Sequence, residues 1–285
     1  MTTERIAVVT GASRGAGKGI ALALAQPGTT VYVTGRTVEP GQTPLPGTIV
    51  ETAEEITRRG GTGVAVAVDH SDDAQVAALF DRIRADHGRL DILVNNAISL
   101  PAELTVKGPF WEKSLSLLDL HDVGMRSAYT TTYYAAPLLA ETGGGLVVNT
   151  SSFGGTCYMH GPAYGSGKAA VDKMAHDMAV DFKPFDVAAV SLWMGLLKTE
   201  LNLAAFAANP AMYEGLAATA ESVEFPGRVI DALSRDPQRM AKSGRVLVGA
   251  ELAEEYGITD VDGKQPPSHR PFLGDPPTFS DAVVQ

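Results

Sequence analysis

A chain of 285 residues, 45% of them hydrophobic, can bury the core of one large α/β domain or of two small ones. Its formal net charge of −10 speaks against a nucleic-acid or anionic-membrane partner, since both require a basic face. The single cysteine, Cys157, excludes an intrachain disulfide framework and a cysteine-rich metal site, and no metal is expected.

The polar start, Met1 to Arg5, lacks the basic and apolar segments of a secretory leader. No run reaches the roughly 18 apolar residues of a membrane span. A soluble cytoplasmic protein without membrane contact is therefore expected.

Arg5–Thr10 reads as a buried strand, followed by a glycine-rich turn and a helical stretch from Lys18 to Ala25. Thr29–Thr34 is the second strand. Arg36–Gly47, with three prolines and two glycines, is a long loop. Ile49–Arg59 is an amphipathic helix, Gly63–Val68 a strand, and Asp72–His87 a helix with Val76, Leu79, Phe80 and Ile83 at helical spacing.

Asp91–Asn95 is the fourth strand. A long helical region from about Trp111 to Glu141 precedes the strand Gly145–Thr150 and a helix from about Ala163 to Phe182. Val187–Leu192 and Arg245–Val248 complete seven strands. Val- and Ile-rich strands without alternation belong to a parallel sheet covered on both faces. Right-handed crossovers then give a doubly wound α/β fold. From Gly263 the chain is Pro-rich and polar; it lies on its own subunit, on a neighbouring one, or is disordered.

The turn Gly11-Ala12-Ser13-Arg14-Gly15-Ala16-Gly17 follows the first strand and opens a helix. Missing side chains let the backbone approach a pyrophosphate, and the helix N-terminus offers free N–H groups and a favourable dipole. An NAD site usually places an acidic residue at the end of the second strand. Here that strand ends Thr34-Gly35-Arg36, and the turn adds Arg14. Two guanidinium groups suit the 2′-phosphate of NADP(H) rather than NAD(H), unless both are simply solvated surface charges. Asp69, beside His70 after the third strand, is an acceptor for the adenine amino group or a helix cap, a role Ser71 and Asp72 could equally fill. Asn95-Asn96-Ala97 ends the fourth strand along the same sheet edge.

Tyr164 and Lys168 are four residues apart at the start of a helix, which puts phenol and ammonium on one face. Two positive charges, Lys168 and an oxidised nicotinamide, are expected to lower the phenol's pKa from its free value of about 10. Gly165 and Gly167 inside that helix cost roughly 1 kcal/mol each relative to alanine, which suggests close packing there. Ser151 and Ser152 end the fifth strand about a dozen residues earlier, where a hydroxyl could hold a carbonyl oxygen.

In order and separation, these motifs resemble the short-chain dehydrogenase/reductase superfamily over about residues 5–249. The resemblance implies a single Rossmann-fold domain over residues 1–263, a substrate lid at about 196–228 and a tail at 264–285. It also implies an acid/base role for Tyr164, a ribose-holding and pKa-lowering role for Lys168, and a carbonyl-orienting role for Ser152. Ser152 is preferred to Ser151 because the Phe-Gly-Gly that follows matches the family's small-residue turn. The implied cofactor contacts are Gly11, Ser13, Arg14, Gly15, Ala16, Gly17, Arg36, Asp69, His70, Asn95, Ala97 and Thr199, the last holding the carboxamide.

Within the superfamily, Val123–Arg126, Tyr164–Lys168, Val190–Trp193 and Glu255–Gly263 look like the branch of dehydrogenase/reductase SDR family member 1. That branch implies NADPH-linked reduction of a small carbonyl compound, and the family as a whole implies a homodimer or homotetramer.

Three features depart from the pattern, the first being Ala16 where a larger aliphatic residue is usual, which loosens packing slightly. Gly124 stands where the family often has a relay asparagine, and Met194-Gly195 replaces Pro-Gly, which leaves that loop less constrained. Leu201–Phe225, with Phe206, Met212, Tyr213 and Phe225, is the expected lid, and Ile98–Trp111 and Cys157–Met159 are its facing walls. A non-catalytic dinucleotide-binding protein or redox sensor, or a dehydratase or epimerase, would fit the same scaffold.

Overall fold

Seven short runs rich in Val, Ile and Ala form the strands β1 (Arg5–Val9), β2 (Thr29–Gly35), β3 (Thr62–Ala67), β4 (Ile92–Asn95), β5 (Leu146–Ser151), β6 (Ala188–Trp193) and β7 (Val246–Val248). All pair in parallel, in the order β3-β2-β1-β4-β5-β6-β7. The computed structural model describes residues 4–284, so Met1–Thr3 and Gln285, with most of the polar start, lie outside the described residues.

The helices are α1 (Gly15–Ala23), α2 (Ile49–Arg58), α3 (Asp73–His87), α4 (Ser127–Thr142), α5 (Pro162–Phe182), α6 (Glu200–Ala208), α7 (Pro210–Thr219), α8 (Phe225–Arg235), α9 (Gly249–Tyr256) and the short α10 (Arg270–Leu273). Local chemistry sets several of their starts. Thr48 and Glu51 form a reciprocal capping box before α2, Asp72 caps α3, and Pro162 opens α5 with its φ already helical.

Successive side chains of a strand face opposite sides of the sheet. Ala7 and Val9 accordingly join Ile20, Ile56, Val229 and Leu252 on one face, while Ile6 and Val8 join Phe80, Leu138 and Phe182 on the other. Burying each such large aliphatic or aromatic side chain contributes about 1.5–3 kcal/mol. The strand order reverses between β1 and β4. A crevice opens at such a switch point, beyond the carboxyl ends of the strands. The residues at issue lie along that edge.

Two expectations change. The long helix read from Trp111 starts only at Ser127. Ahead of it lie short 3₁₀ turns and a wide turn over His121–Arg126, broken at Val123 and Gly124. Gly124 has φ = 150°, a conformation that a side chain disfavours. The 3₁₀ turn at Leu115–Leu118 and the non-helical backbone of Val123 and Gly124 take the place of the expected helix's first turns.

Parts of the C-terminal segment contact the domain that precedes it. Arg270 pairs with Glu251 at 2.7 Å, Ser268 donates to the same carboxylate at 2.7 Å, and His176 contacts the Ser280 carbonyl at 3.1 Å. No helix of the described residues is long and apolar enough to cross a membrane.

Candidate active site

The turn after β1 is shaped by what its glycines lack. Gly11 and Gly15 have φ of 65° and 55°. A Cβ on Gly17 would overlap the Gly11 carbonyl oxygen and the Asn96 side-chain amide, and one on Gly11 would stand 2.7 Å from Ala97 Cα. Asn96 Nδ2 donates to the carbonyls of Thr10 (2.9 Å) and Gly11 (3.2 Å). The backbone N–H groups of Asn96 and Ala97 donate to Thr10 Oγ1.

Ala97 therefore packs against the turn. Asn95 points away from it, donating to Thr132 Oγ1 and Asn149 Oδ1 at 2.9 Å each. Asn96, its neighbour in the motif, is the side chain that locks the turn. Ser13 is buried, and Ala16 packs on the core of that sheet face.

The Gly15 N–H, at the N-terminus of α1, donates to the Glu200 carboxylate at 3.0 and 3.3 Å. A negative group already sits where helix N–H groups and the dipole favour an anion, so the turn fits a pyrophosphate. Nothing in the sequence pattern pointed to Glu200. Thr199 beside it caps α6 through the Asn202 N–H, and its methyl carbon lies 3.5 Å from a Cβ placed on Gly15.

No carboxylate ends β2. Arg36 is 70% exposed there, 3.9 Å from Asp69. Arg14 is not a solvated charge. It donates to the carbonyls of Pro46 (2.8 Å) and Gly47 (2.9 Å) and to the hydroxyls of Thr43 and Thr37, fastening the proline-rich loop beside the turn. Asp69 accepts from the N–H and hydroxyl of Ser71, and those bonds hold its carboxyl below the usual range. Asp72, not Asp69, caps α3. The His70 ring is buried against Thr34 Oγ1 at 2.7 Å, and burial lowers its pKa to about 4.

The reactive residues meet where β5 runs out beside α5. Ser152 Oγ and Tyr164 OH share a hydrogen bond of 2.9 Å. Lys168 Nζ donates to the Thr150 carbonyl at 3.1 Å and lies 5.7 Å from the centre of the Tyr164 ring. A Cβ on Gly154 would stand 2.6 Å from Tyr164 Cε1, so the Phe-Gly-Gly turn makes room for the tyrosine ring. Gly165 packs against the Gly154 carbonyl, where a Cβ would stand at 3.1 Å, which accounts for one glycine within the helix.

Burial raises the Tyr164 pKa above its usual value, and the Ser152 hydrogen bond offsets only part of that rise. The lowering expected from Lys168 is thus not present in the protein alone; Cys157 and Asp172 add to the rise instead. Lys168 is only half-buried by surface, yet protein crowds its ammonium enough to bring its pKa down to about 8.

Two further residues close on this centre, and a third braces the loop after β6. Asp172, one turn beyond Lys168, is fully buried. His160, with a left-handed φ of 57°, sets its ring edge-on to Tyr164 at 5.1 Å. Glu221, buried, accepts the Gly195 N–H at 3.2 Å; its backbone accepts from Lys198 N–H and donates to the Leu196 carbonyl, at 2.8 Å each. Met194-Gly195 is therefore not a loose loop: Glu221 clasps it without proline. Burial pushes the Glu221 carboxyl up to about 8.

At Gly124 the backbone N–H donates to Ser127 Oγ, and the preceding Val123 carbonyl accepts from the Ser99 N–H at 2.7 Å. Backbone groups thus define this site in place of an asparagine side chain.

The two expected walls meet in a cleft of about 510 Å³ bounded by Phe110, Trp111, Cys157, Met159 and Gly165. α6 and α7 stand over this edge with Leu201, Leu203, Met212 and Leu216 exposed. Phe225 does not belong with them. It is wholly buried in the main core, because α8 and not the lid carries it.

The family profile described as short chain dehydrogenase matches residues 5–209. The chain belongs to the short-chain dehydrogenase family. It is 39% identical to "Dehydrogenase/reductase SDR family member 1" of Homo sapiens and 40% identical to that of Mus musculus, in each case over 91% of this chain and 84% of the relative. A solved short-chain dehydrogenase/reductase of Serratia marcescens, 25% identical, superposes with a TM-score of 0.72 over 86% of this chain and 96% of that one. Membership makes the protein an oxidoreductase that binds a nicotinamide dinucleotide on a Rossmann fold.

Proposed function

We propose that this short-chain dehydrogenase is an NADP(H)-dependent oxidoreductase that interconverts a small, apolar carbonyl compound and its secondary alcohol. The observation that carries the reading is the 2.9 Å contact between Ser152 Oγ and Tyr164 OH, with the Lys168 ammonium on the same helix. A general acid must lie within hydrogen-bond reach of the oxygen it protonates, and two adjacent hydroxyls offer one substrate oxygen two partners.

Gly11–Gly17, Asp69, Ala97, Lys168 and Thr199 would hold the dinucleotide. The absence of a carboxylate at the end of β2, together with Arg36, supports the 2′-phosphate form. Arg14 would contribute by fixing the loop that borders the same pocket. The bound nicotinamide supplies a hydride to the carbonyl carbon, or accepts one in the reverse direction. Ser152 orients the substrate oxygen, and Tyr164 gives that oxygen its proton. Lys168 stabilises the phenolate left behind, which recovers its proton from water.

The exposed apolar face of α4 and α5, with Tyr129, Tyr133 and Val180, supports a homodimer or homotetramer. A screen of ketones, aldehydes and secondary alcohols, followed by the absorbance of NADPH and of NADH, tests the reading. Turnover of apolar carbonyls with NADPH preferred is expected. Bound NADPH that no carbonyl consumes would instead identify a non-catalytic dinucleotide-binding protein.

A further inference from the structure

The last residues of β5 and the first turns of α5 are fastened rung by rung. The Thr150 carbonyl takes the Lys168 ammonium at 3.1 Å, Ser151 Oγ donates to the Lys168 carbonyl at 3.4 Å, and Ser152 Oγ meets Tyr164 OH at 2.9 Å. Asp172 lies one turn further along the same helix face and has no accessible surface. Its Oδ1 accepts from Ser191 Oγ at 2.5 Å, and its carboxylate accepts from Trp193 Nε1 at 3.0 and 3.2 Å, both donors on β6. A Cβ on Gly155 would stand 2.5 Å from Asp172 Oδ2, so the second glycine of the Phe-Gly-Gly turn clears the aspartate as the first clears Tyr164.

A buried carboxylate is costly unless it is hydrogen-bonded and faces an opposite charge. Here two donors, Ser191 and Trp193, converge on it, and Lys168 stands one turn before it on the same helix. Burial pushes the Asp172 carboxyl up, and these bonds and the lysine's charge oppose that push. We propose that Asp172 is a positioning residue for the reactive pair: it fixes the register of α5 on β5 and β6, and it supplies the buried negative charge against which the Lys168 ammonium is held.

The groups around the pair limit what else could take this role. Tyr164 on α5 and Cys157 and His160 on the segment after β5 carry no negative charge in their ordinary neutral forms. His121, from the kinked turn before α4, faces Gly167 and hydrogen-bonds to the Ala163 carbonyl and Ser166. Thr150, Ser151, Ser191 and Trp193 on the sheet do not ionise in the relevant range. Burial drives the lysine toward its neutral form, and Asp172 opposes that drive.

The inference rests on the reading of Lys168 as a working cation, and its test needs neither cofactor nor turnover. The lysine side chains are labelled with ¹⁵N and titrated by NMR, and the Lys168 signal is assigned by its loss in Lys168→Met. Asp172→Asn keeps the size and most of the hydrogen bonding while removing the charge; Asp172→Ser does so with less bulk should the amide crowd the site. The near-UV spectrum of Trp193 checks the packing of either variant.

The Lys168 midpoint is expected to fall by about one pH unit. The alkaline limb of kcat should fall by the same amount, with KM for the carbonyl unchanged. An unmoved midpoint in a variant with native packing would reduce Asp172 to a strut and overturn the proposal. A shifted midpoint in a protein that binds no NADPH would sustain this role for Asp172 and overturn the functional reading instead.

Discussion

Two strand-to-helix junctions do the work of this site, and they are built in opposite ways. Between β1 and α1 the chain presents backbone: glycines clear a surface, and the side chains that matter, Asn96 and Thr10, only brace it. Between β5 and α5 the chain presents side chains: Ser152, Tyr164 and Lys168 face the crevice, and the glycines serve only to let them in. The first junction suits a ligand recognised by charge and shape, the second a reaction that moves a proton. A junction made of backbone tolerates no added atoms, whereas one made of side chains tolerates no lost ones.

Adding one carbon to the first junction is the strongest way to break that contrast. Gly17→Ala is expected to force the turn open against Gly11 and Asn96, at about the 1–3 kcal/mol of an overpacked site. NADPH affinity, measured by fluorescence titration, should fall by about tenfold or more. The Ser152–Tyr164 centre should keep its geometry. Undiminished affinity would mean that the turn is not the cofactor's seat.

A smaller change sharpens the comparison. Glu200 holds the Gly15 N–H, so it competes with any phosphate there. Glu200→Gln is expected to tighten NADPH binding by about two- to fivefold, the equivalent of roughly 0.3–1 kcal/mol of charge at a helix N-terminus. Weaker binding in this variant would show that the carboxylate supports the turn rather than blocking it.

The two junctions also differ in how far a sequence discloses them. The glycine turn was legible because the constraint is local: only residues without side chains permit the path from β1 into α1. The seven strands were legible for a similar reason, since fully buried parallel strands must be continuously apolar. Tyr164 and Lys168 were legible through their place after the glycine turn and the strand-end serine, since a spacing of four alone is common on helices.

The supports of the second junction were hidden because they come from distant segments. Asp172 is fixed by Ser191 and Trp193 on another strand, and Glu221 clasps Gly195 from the far end of the lid segment. A signal for Asp172 did exist: it lies on the inward stripe of α5 with Val171, Ala175 and Ala179, where a charge demands a partner. Asn95 and Asn96 were not separable in the sequence for a plainer reason: alternation along the strand end decides which of two adjacent amides faces the turn.

The 2.9 Å hydrogen bond between Ser152 and Tyr164 is the centre of this account, and one substitution tests it most directly. Tyr164→Phe removes only the phenolic oxygen. Single-turnover oxidation of NADPH by an accepted carbonyl should then slow by about 10²–10⁴-fold, the usual contribution of a general acid. NADPH affinity should stay within about twofold, since a cofactor seat built from backbone at the other junction is untouched. Hydride transfer at the native rate in Tyr164→Phe would contradict the account.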